Sequence, residues 1–234
     1  MNYFPVNIIN DIGNIIYPKL CVACHEALGK HEKIICLKCQ IGLPKTDHVL
    51  YEDNPVAKKF WGKVPIERAL AMYHFHKTSR LQEVMHALKY KGRQDVGIRL
   101  GNLMGYHLLQ YHLFADVDYL TAVPLHKDKL EKRGYNQSGV IAEGLSEVLN
   151  IKYDAEILQR SLYTETQTKK SRLERWNNVK DIFEVNKPDV VAHKHILLLD
   201  DVITTGSTLE ACALKLIQHR GTRVSIIAVA HAEL

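Results

Sequence analysis

The segment His195-Ile-Leu-Leu-Leu-Asp-Asp-Val-Ile-Thr-Thr-Gly-Ser-Thr208 constrains this chain more than any other. An apolar run from His195 to Leu199 has the length and composition of a buried strand. It leads into two adjacent acids, then into small hydroxylated residues around Gly206, then into helical spacing over 207–220. A strand that feeds a loop into a helix is the unit of a parallel α/β sheet, and such sheets bind ligands beyond the carboxyl ends of their strands. The helix amino terminus offers unpaired N–H groups and a favourable dipole to an anion. Gly206 lets the backbone come close to that anion, and Thr204, Thr205, Ser207 and Thr208 add hydroxyl donors. Asp200 and Asp201 would repel a phosphate they faced, so they suit the hydroxyls of a sugar beside it. A phosphate on the loop and a diol on the acids together describe a ribose 5-phosphate. A plain helix cap after two strand-end acids would not need both threonines, the glycine and Thr208.

The rest of the chain carries the same alternation. Residues 67–75 read as a strand or hairpin arm. Helical spacing follows at Leu81, Val84, Met85 and Leu88, and again over 96–113. Tyr119 to Val123 is a second buried strand, ended by Pro124. Residues 137–149 return to helix, and Arg223 to Ala230 form a further strand. The expected fold class is α/β, a parallel sheet flanked by helices. Near the amino terminus, Ile8, Ile9, Ile12, Ile15 and Ile16 predict a short amphipathic helix stopped near Pro18. Its polar face carries no Lys or Arg, so it reads as a helix packed on the domain behind it, not as a membrane anchor. Residues 40–65 have a turn-rich linker composition. Residues 160–181 are polar and weakly patterned, the signature of a long mobile loop. The expected division is an amino-terminal region over 1–65 and an α/β domain over 66–234.

Four of the five cysteines form two pairs, Cys21/Cys24 and Cys36/Cys39. Two such knuckles close a tetrahedral thiolate site of the structural Zn²⁺ type, and metal binding would supply the folding free energy of so small a module. His25 and His31 lie between the pairs and could serve as substitute ligands. Reduced thiols in a small cap, or a redox pair, are the plainer alternatives. Cys212 stands alone among Ala211, Ala213 and Leu214 and reads as a small buried residue. No positively charged, continuously apolar leader precedes the cysteines, and no stretch nears the roughly 20 apolar residues needed to span a bilayer. These features point to a cytoplasmic protein.

A second strand-to-helix connection, Val123-Pro-Leu-His-Lys-Asp-Lys-Leu-Glu-Lys-Arg-Gly-Tyr-Asn-Gln137, carries His126, Lys127, Lys129, Lys132 and Arg133. A basic loop there suits a pyrophosphate, which Arg133 could bind through two donors, although charge alone favours a solvated turn. The formal net charge of +5 permits a nucleic-acid or phosphate partner without requiring one.

The wording of these segments carries a resemblance. Two acids followed by Val202-Ile203 and Thr-Thr-Gly-Ser-Thr resemble the motif with which type I phosphoribosyltransferases bind phosphoribosyl pyrophosphate (PRPP). The VPLH…RGYNQ segment is similar to the VPxHxxxxxxRGxNQ signature of the ComF family. Thr166 to Asn178 resembles that family's TxxQxxLxxxxRxxN loop, with Gln167, Arg175 and Asn178 at matching positions. Lys170 or Ser171 stands there where leucine is common. The opening IINDIGNIIYPKLCVACH and the Leu88-Lys-Tyr-Lys-Gly-Arg93 segment match as well, so the resemblance spans nearly the whole chain.

The resemblance implies a type I phosphoribosyltransferase-like fold behind a four-cysteine zinc module. Asp200 and Asp201 would hold the ribose hydroxyls, and Thr204, Thr205, Gly206, Ser207 and Thr208 the 5′-phosphate. His126, Lys132, Arg133, Asn136 and Gln137 would form the pyrophosphate loop, with Mg²⁺ arriving on PRPP. The family's role is natural competence, in which it handles incoming single-stranded DNA beside a helicase and a DNA-processing protein. Two other functions stay open: phosphoribosyl transfer to an unknown acceptor, and a PRPP-gated protein adaptor. No nucleobase-recognising hood is evident in residues 67–118 or after Ala230. Met1-Asn2 offers no cysteine nucleophile for a glutaminase. For DNA, Lys89, Lys91, Arg93, Lys127, Lys129, Lys132, Arg133, Lys169, Lys170, Arg172 and Arg175 are candidate phosphate contacts, with Tyr90, Tyr135 and Trp176 as stacking partners. Solvated charges and core aromatics would look the same in sequence.

Overall fold

The computed structural model describes residues 18–160 and 182–232. In chain order the elements are α1 (Leu37–Ile41), α2 (Pro55–Lys58), β1 (Ala69–His74), α3 (Arg80–Tyr90), α4 (Gln94–Leu109), β2 (Tyr119–Ala122), α5 (Lys127–Arg133), α6 (Gln137–Leu149), β3 (Lys152–Tyr153), β4 (Leu158–Arg160), β5 (Phe183–Val185), α7 (Pro188–Val191), β6 (His195–Ile203), α8 (Ser207–Ile217) and β7 (Arg223–His231). The five-stranded sheet runs β1-β7-β6-β2-β3, and every pairing in it is parallel. Strands β4 and β5 make a separate antiparallel pair. The amphipathic stretch over Ile8–Ile16 lies outside the described residues, as do 161–181 of the polar segment.

Side chains alternate across a strand, so a sheet covered on both faces needs apolar residues at both parities. Leu197, Leu199, Ile227 and Val229 face one core with Leu81 and Val84 of α3, Leu100 and Met104 of α4 and Ile141 of α6. Ile196, Leu198, Ile226 and Ala228 face the other with Leu209, Cys212 and Leu216 of α8. The expected parallel α/β sheet flanked by helices is what the chain forms. Cys21, Val22, Ile35, Cys39 and Leu43 belong to the first core, so the cysteine region packs directly on α3.

The turn-rich stretch after the cysteines does more than link. β1 is an edge strand, and an uncovered edge is a row of unpaired backbone groups. Residues 44–54 satisfy that row. Thr46 N–H donates to the Met72 carbonyl (3.0 Å) and His74 N–H to that of Pro44 (2.8 Å). Thr46 Oγ1 donates to the Ala71 carbonyl, Asn54 Nδ2 to that of Ala69, and Ala71 N–H donates to His48 Nδ1 (3.3 Å). Turn residues signalled a linker because the segment has no periodicity; its polar side chains are spent on the edge of β1 instead.

His48 makes this cover acid-sensitive. Its Nδ1 must be unprotonated to accept from Ala71. Burial, then the charges of His231 and His74, push His48 down to about 4, against a smaller opposing pull from Asp47. A base whose pKa is lower folded than unfolded contributes its full stability above the unfolded value and loses it as pH falls towards the folded one. Between about pH 6.5 and pH 4 the chain should lose up to about 3 kcal/mol through this group. A His48→Gln variant, melted over that range, should show a flatter pH dependence than the wild type. Parallel curves would remove His48 as the cause.

Helices α4 and α6 touch through glycine. A Cβ on Gly101 would sit 2.2 Å from the Ile141 carbonyl oxygen, and one on Gly144 2.1 Å from that of Ile98. The backbones themselves are in contact, so no rotamer change relieves a substitution. Gly144→Ala should cost about 3 kcal/mol or somewhat more, because the helices must separate. That corresponds to about 6–12 °C in Tm for a chain of this size. Glu143→Ala, exposed one residue earlier, should stay within about 0.5 kcal/mol.

Candidate functional site

Strand β6 does not stop at Leu199. Its pairing with β7 continues through Asp200↔Ala228, Val202↔Ala230 and Ile203↔His231. Both acids therefore lie inside the strand, where neighbours alternate between faces. Asp201 takes the parity of Leu197 and Leu199, towards α3 and α6. Lys89 Nζ of α3 sits 2.6 Å from Asp201 Oδ2, and Gln137 Nε2 of α6 donates to the same oxygen at 3.1 Å. Asp201 Oδ1 accepts from Val202 N–H at 2.6 Å. Asp200 Oδ1 accepts from Asp201 N–H at 2.8 Å and from Ser138 Oγ at 3.3 Å. Burial pushes the Asp200 carboxyl up to about 7 and the Asp201 charge adds to the rise; the Asp201 N–H, Ser138 and the Lys89 charge offset part of it. On the other side of the sheet the buried Cys212 thiol is pushed up by burial and then by the Asp200 charge.

Beyond β6 the chain turns once and enters α8. Thr204, Thr205, Ser207 and Thr208 are exposed, while Gly206 is buried. Gly206 holds φ +83°, a left-handed conformation that favours glycine, and its Cα faces Phe60, which a Cβ would meet at 3.3 Å. No side chain caps α8; Thr205 Oγ1 pairs with Ser207 Oγ at 3.1 Å. Ser207 N–H, the first of this eleven-residue helix, donates to Thr205 Oγ1 at 3.4 Å, and a ring of hydroxyls surrounds the helix start.

The basic segment after β2 is a short helix, α5, and not an open loop. Its residues divide by position. His126 caps α5, its Nδ1 accepting from Asp128 N–H at 3.3 Å. Asn136 caps α6, accepting from Ser138 N–H at 3.1 Å and donating to the Val123 carbonyl at 2.9 Å. Lys127, Lys129 and Lys132 are exposed. Arg133 Nη1 donates to Gln137 Oε1 at 2.5 Å, and its guanidinium lies 5.5 Å from the centre of the exposed Tyr90 ring. Tyr135 donates its hydroxyl to the Leu88 carbonyl. So Gln137 reaches the acid pair with Arg133 behind it, while His126 and Asn136 shape the helices around it. Lys91 is exposed, and Arg93 is bound to Asp95 at 2.7 Å. Gln167, Arg175 and Asn178 lie outside the described residues, as do Lys169, Lys170, Arg172 and Trp176.

Sequence reasoning put Lys89 on a basic surface and missed its place against Asp201. Ser138 was missed too. The signal available was the LKYxG wording around Lys89, which marks a segment without saying what its lysine faces.

Near the amino terminus, Cys21, Cys24, Cys36 and Cys39 bring their sulfurs within 4.8 Å of one another, so the four could hold a metal such as zinc. Cys24 and Cys36 sulfurs are 3.8 Å apart. A tetrahedron with bonds of about 2.3 Å has edges of about 3.8 Å, so the donor set fits. Cys36 N–H donates to Cys21 Sγ at 3.3 Å. Burial raises the Cys21 thiol, but backbone donors from Cys36, Ala23 and Cys24 outweigh it and bring it down to about 7. His25 is held by Glu83 of α3 at 3.6 Å instead.

Among the described residues no helix is long and apolar enough to cross a membrane. No protein-family model matches the chain. The DNA utilization protein YhgH of Escherichia coli is 28% identical over 210 residues, 88% of each chain. Competence protein ComFC of Bacillus subtilis is 27% identical over 89% of this chain and 81% of its own. Competence protein F of Haemophilus influenzae is 39% identical over 89 residues, 37% of this chain and 38% of its own. Among solved structures, the glutamine PRPP amidotransferase of B. subtilis aligns with a TM-score of 0.44 at 22% identity, over 62% of this chain and 30% of that one. Along most of its length this chain is similar to the DNA utilization protein YhgH and to competence protein ComFC.

Proposed function

We propose that the chain binds PRPP with Mg²⁺ at the carboxyl edge of its sheet and acts in natural competence, in the uptake and handling of single-stranded DNA. The observation that carries this reading is the order of groups along one edge. An acid pair lies near the carboxyl end of β6, a hydroxyl-lined turn then opens α8, and the connection after β2 carries α5, whose Arg133 meets the Gln137 that bonds Asp201. Acids accept from a sugar diol, the helix terminus takes a phosphate, and Arg133 and the α5 lysines suit a pyrophosphate. The names of the homologues support the DNA role. The four cysteines would hold one structural Zn²⁺, the division would fall near residue 65, and the protein would work in the cytoplasm beside a helicase and a DNA-processing protein. On this reading the exposed Tyr90, Lys91, Lys129 and Lys132 are available to a nucleic-acid strand.

A second reading, phosphoribosyl transfer to an acceptor, is favoured by one specific feature. Arg133 at the end of α5 meets Gln137, which itself bonds Asp201, and would supply a cation to balance the charge of a leaving pyrophosphate. A PRPP-gated adaptor would use the same groups. Calorimetric titration of PRPP with Mg²⁺ into the purified chain tests what all three share. Saturable heat at one site per chain is expected; its absence overturns the PRPP reading. Pyrophosphate release in the presence of single-stranded DNA or free nucleobases would then separate transfer from binding.

A further inference from the structure

Two adjacent carboxylates beside a phosphate nest pose an electrostatic problem. The ligand proposed for this edge is itself a polyanion, and two like charges on one strand disfavour each other. The chain places one ammonium against them. Lys89 reaches from the last turn of α3 to Asp201 Oδ2 across 112 residues of sequence, with only 21% of its side chain and 13% of that of Asp201 accessible. Gln137 and the Val202 N–H supply further donors to Asp201. Asp201 is thereby occupied on both oxygens before any ligand arrives. Among the described residues Asp200 accepts, through Oδ1, from the Asp201 N–H and from Ser138 at the longer 3.3 Å.

The geometry points to Lys89 as the counter-ion of the acid pair: a positioning residue that fixes Asp201 and leaves Asp200 as the carboxylate that meets the sugar diol. The inference rests on the sugar-phosphate reading for its ligand but not for its charge arrangement. The groups that face the pair are Lys89 from α3, Gln137 and Ser138 from α6, with Arg133 behind Gln137, and Cys212 from α8. Lys89 is the only ammonium the structure brings into contact with the pair among the described residues. Removing it should push the Asp200 carboxyl further above the position to which burial already raises it, so that it is mostly protonated at neutral pH. A protonated carboxyl accepts less well from a diol, so binding should weaken and return as pH rises.

The test has two readouts on the full chain. The first is the carboxyl-carbon titration of Asp200, followed by NMR in aspartate-labelled wild type, Lys89→Met and Lys89→Arg, and assigned with Asp200→Asn. Lys89→Met should move the Asp200 midpoint up by about one unit or more, and Lys89→Arg should bring most of it back. The second is PRPP–Mg²⁺ affinity across pH 6–9 in the same three proteins. Lys89→Met should bind about tenfold more weakly at pH 7, with the loss shrinking towards pH 9. An unmoved Asp200 midpoint in a folded Lys89→Met chain overturns the inference, as does a pH-independent loss of affinity. Because the carboxyl titration needs no ligand, it decides the role of Lys89 even where the wild type takes no PRPP, an outcome that sinks only the PRPP reading. Should Lys89→Met melt early, the Lys89→Met/Asp201→Asn pair, which removes both buried charges, should recover stability. Failure to recover it also counts against the pairing.

Discussion

Stripping the metal from the four-cysteine cluster should collapse the region around residues 20–43 and loosen the helix it rests on. The purified chain should carry one zinc, and a strong chelator should release it with a large drop in Tm. Structural zinc in isolated finger peptides contributes about 10–16 kcal/mol near pH 7. Here part of that is offset, because Val22, Ile35 and Leu43 share one buried core with Leu81, Val84 and Met85 of α3. The same packing means the loss will not stay local. Burial and neighbouring thiols push the Cys39 thiol up, so metal must displace a firmly held proton there. Zinc affinity should therefore fall as pH is lowered. Cys39→Ser should mimic the chelator. A chain that purifies without metal and melts identically with and without chelator would show that the cysteines form a cap of reduced thiols.

Exchanging both acids, Asp200→Ala/Asp201→Ala, should abolish measurable PRPP binding. Charge-assisted hydrogen bonds are worth about 1.5–3 kcal/mol each, so losing a diol contact from the pair removes at least a hundredfold in affinity. The fold should survive, since the backbone pairing of β6 with β7 needs neither side chain. The double variant does strand Lys89, whose ammonium would be left without the partner that holds it at 2.6 Å. Some thermal destabilisation should therefore accompany the lost binding. The control is Asp200→Asn alone, which keeps the Lys89–Asp201 pair. It should lose most of the affinity at nearly wild-type Tm. Unchanged affinity in the double variant would place the ligand elsewhere.

Much of the α/β frame was legible because it follows from local pattern. Apolar runs bounded by Pro124 and by Asp200 marked β2 and β6, and helical spacing at Leu81, Val84 and Leu88 marked α3. The hydroxyl turn was legible because phosphate chemistry demands particular residue types in a row. The misread parts depend on pairing across the chain. Nothing local says that β6 extends through the acids; its partner in β7 decides that. Residues 44–54 look like a linker because their polar side chains serve β1, a strand twenty residues away, and not each other. Gly101 says nothing alone; its meaning requires the Ile141 carbonyl and Gly144 of α6 opposite. Lys89 is one lysine among many until Asp201 is beside it.

The strand order also sets a timetable for synthesis. β7 lies between β1 and β6, so the first strand made has no neighbour in the main sheet until the last one described has left the ribosome. Until then the inner edge of β1 and one edge of β6 stand open, and the contacts that close the β1 edge span more than 150 residues. Long-range pairings of this kind form slowly and leave sticky edges exposed while they wait. Residues 44–54 already shield one side of β1 by that stage, which halves the edge a nascent chain offers to its neighbours. A ribosome would therefore hold an aggregation-prone intermediate until β7 emerges, and a stalled chain lacking β7 would be a natural client for chaperones.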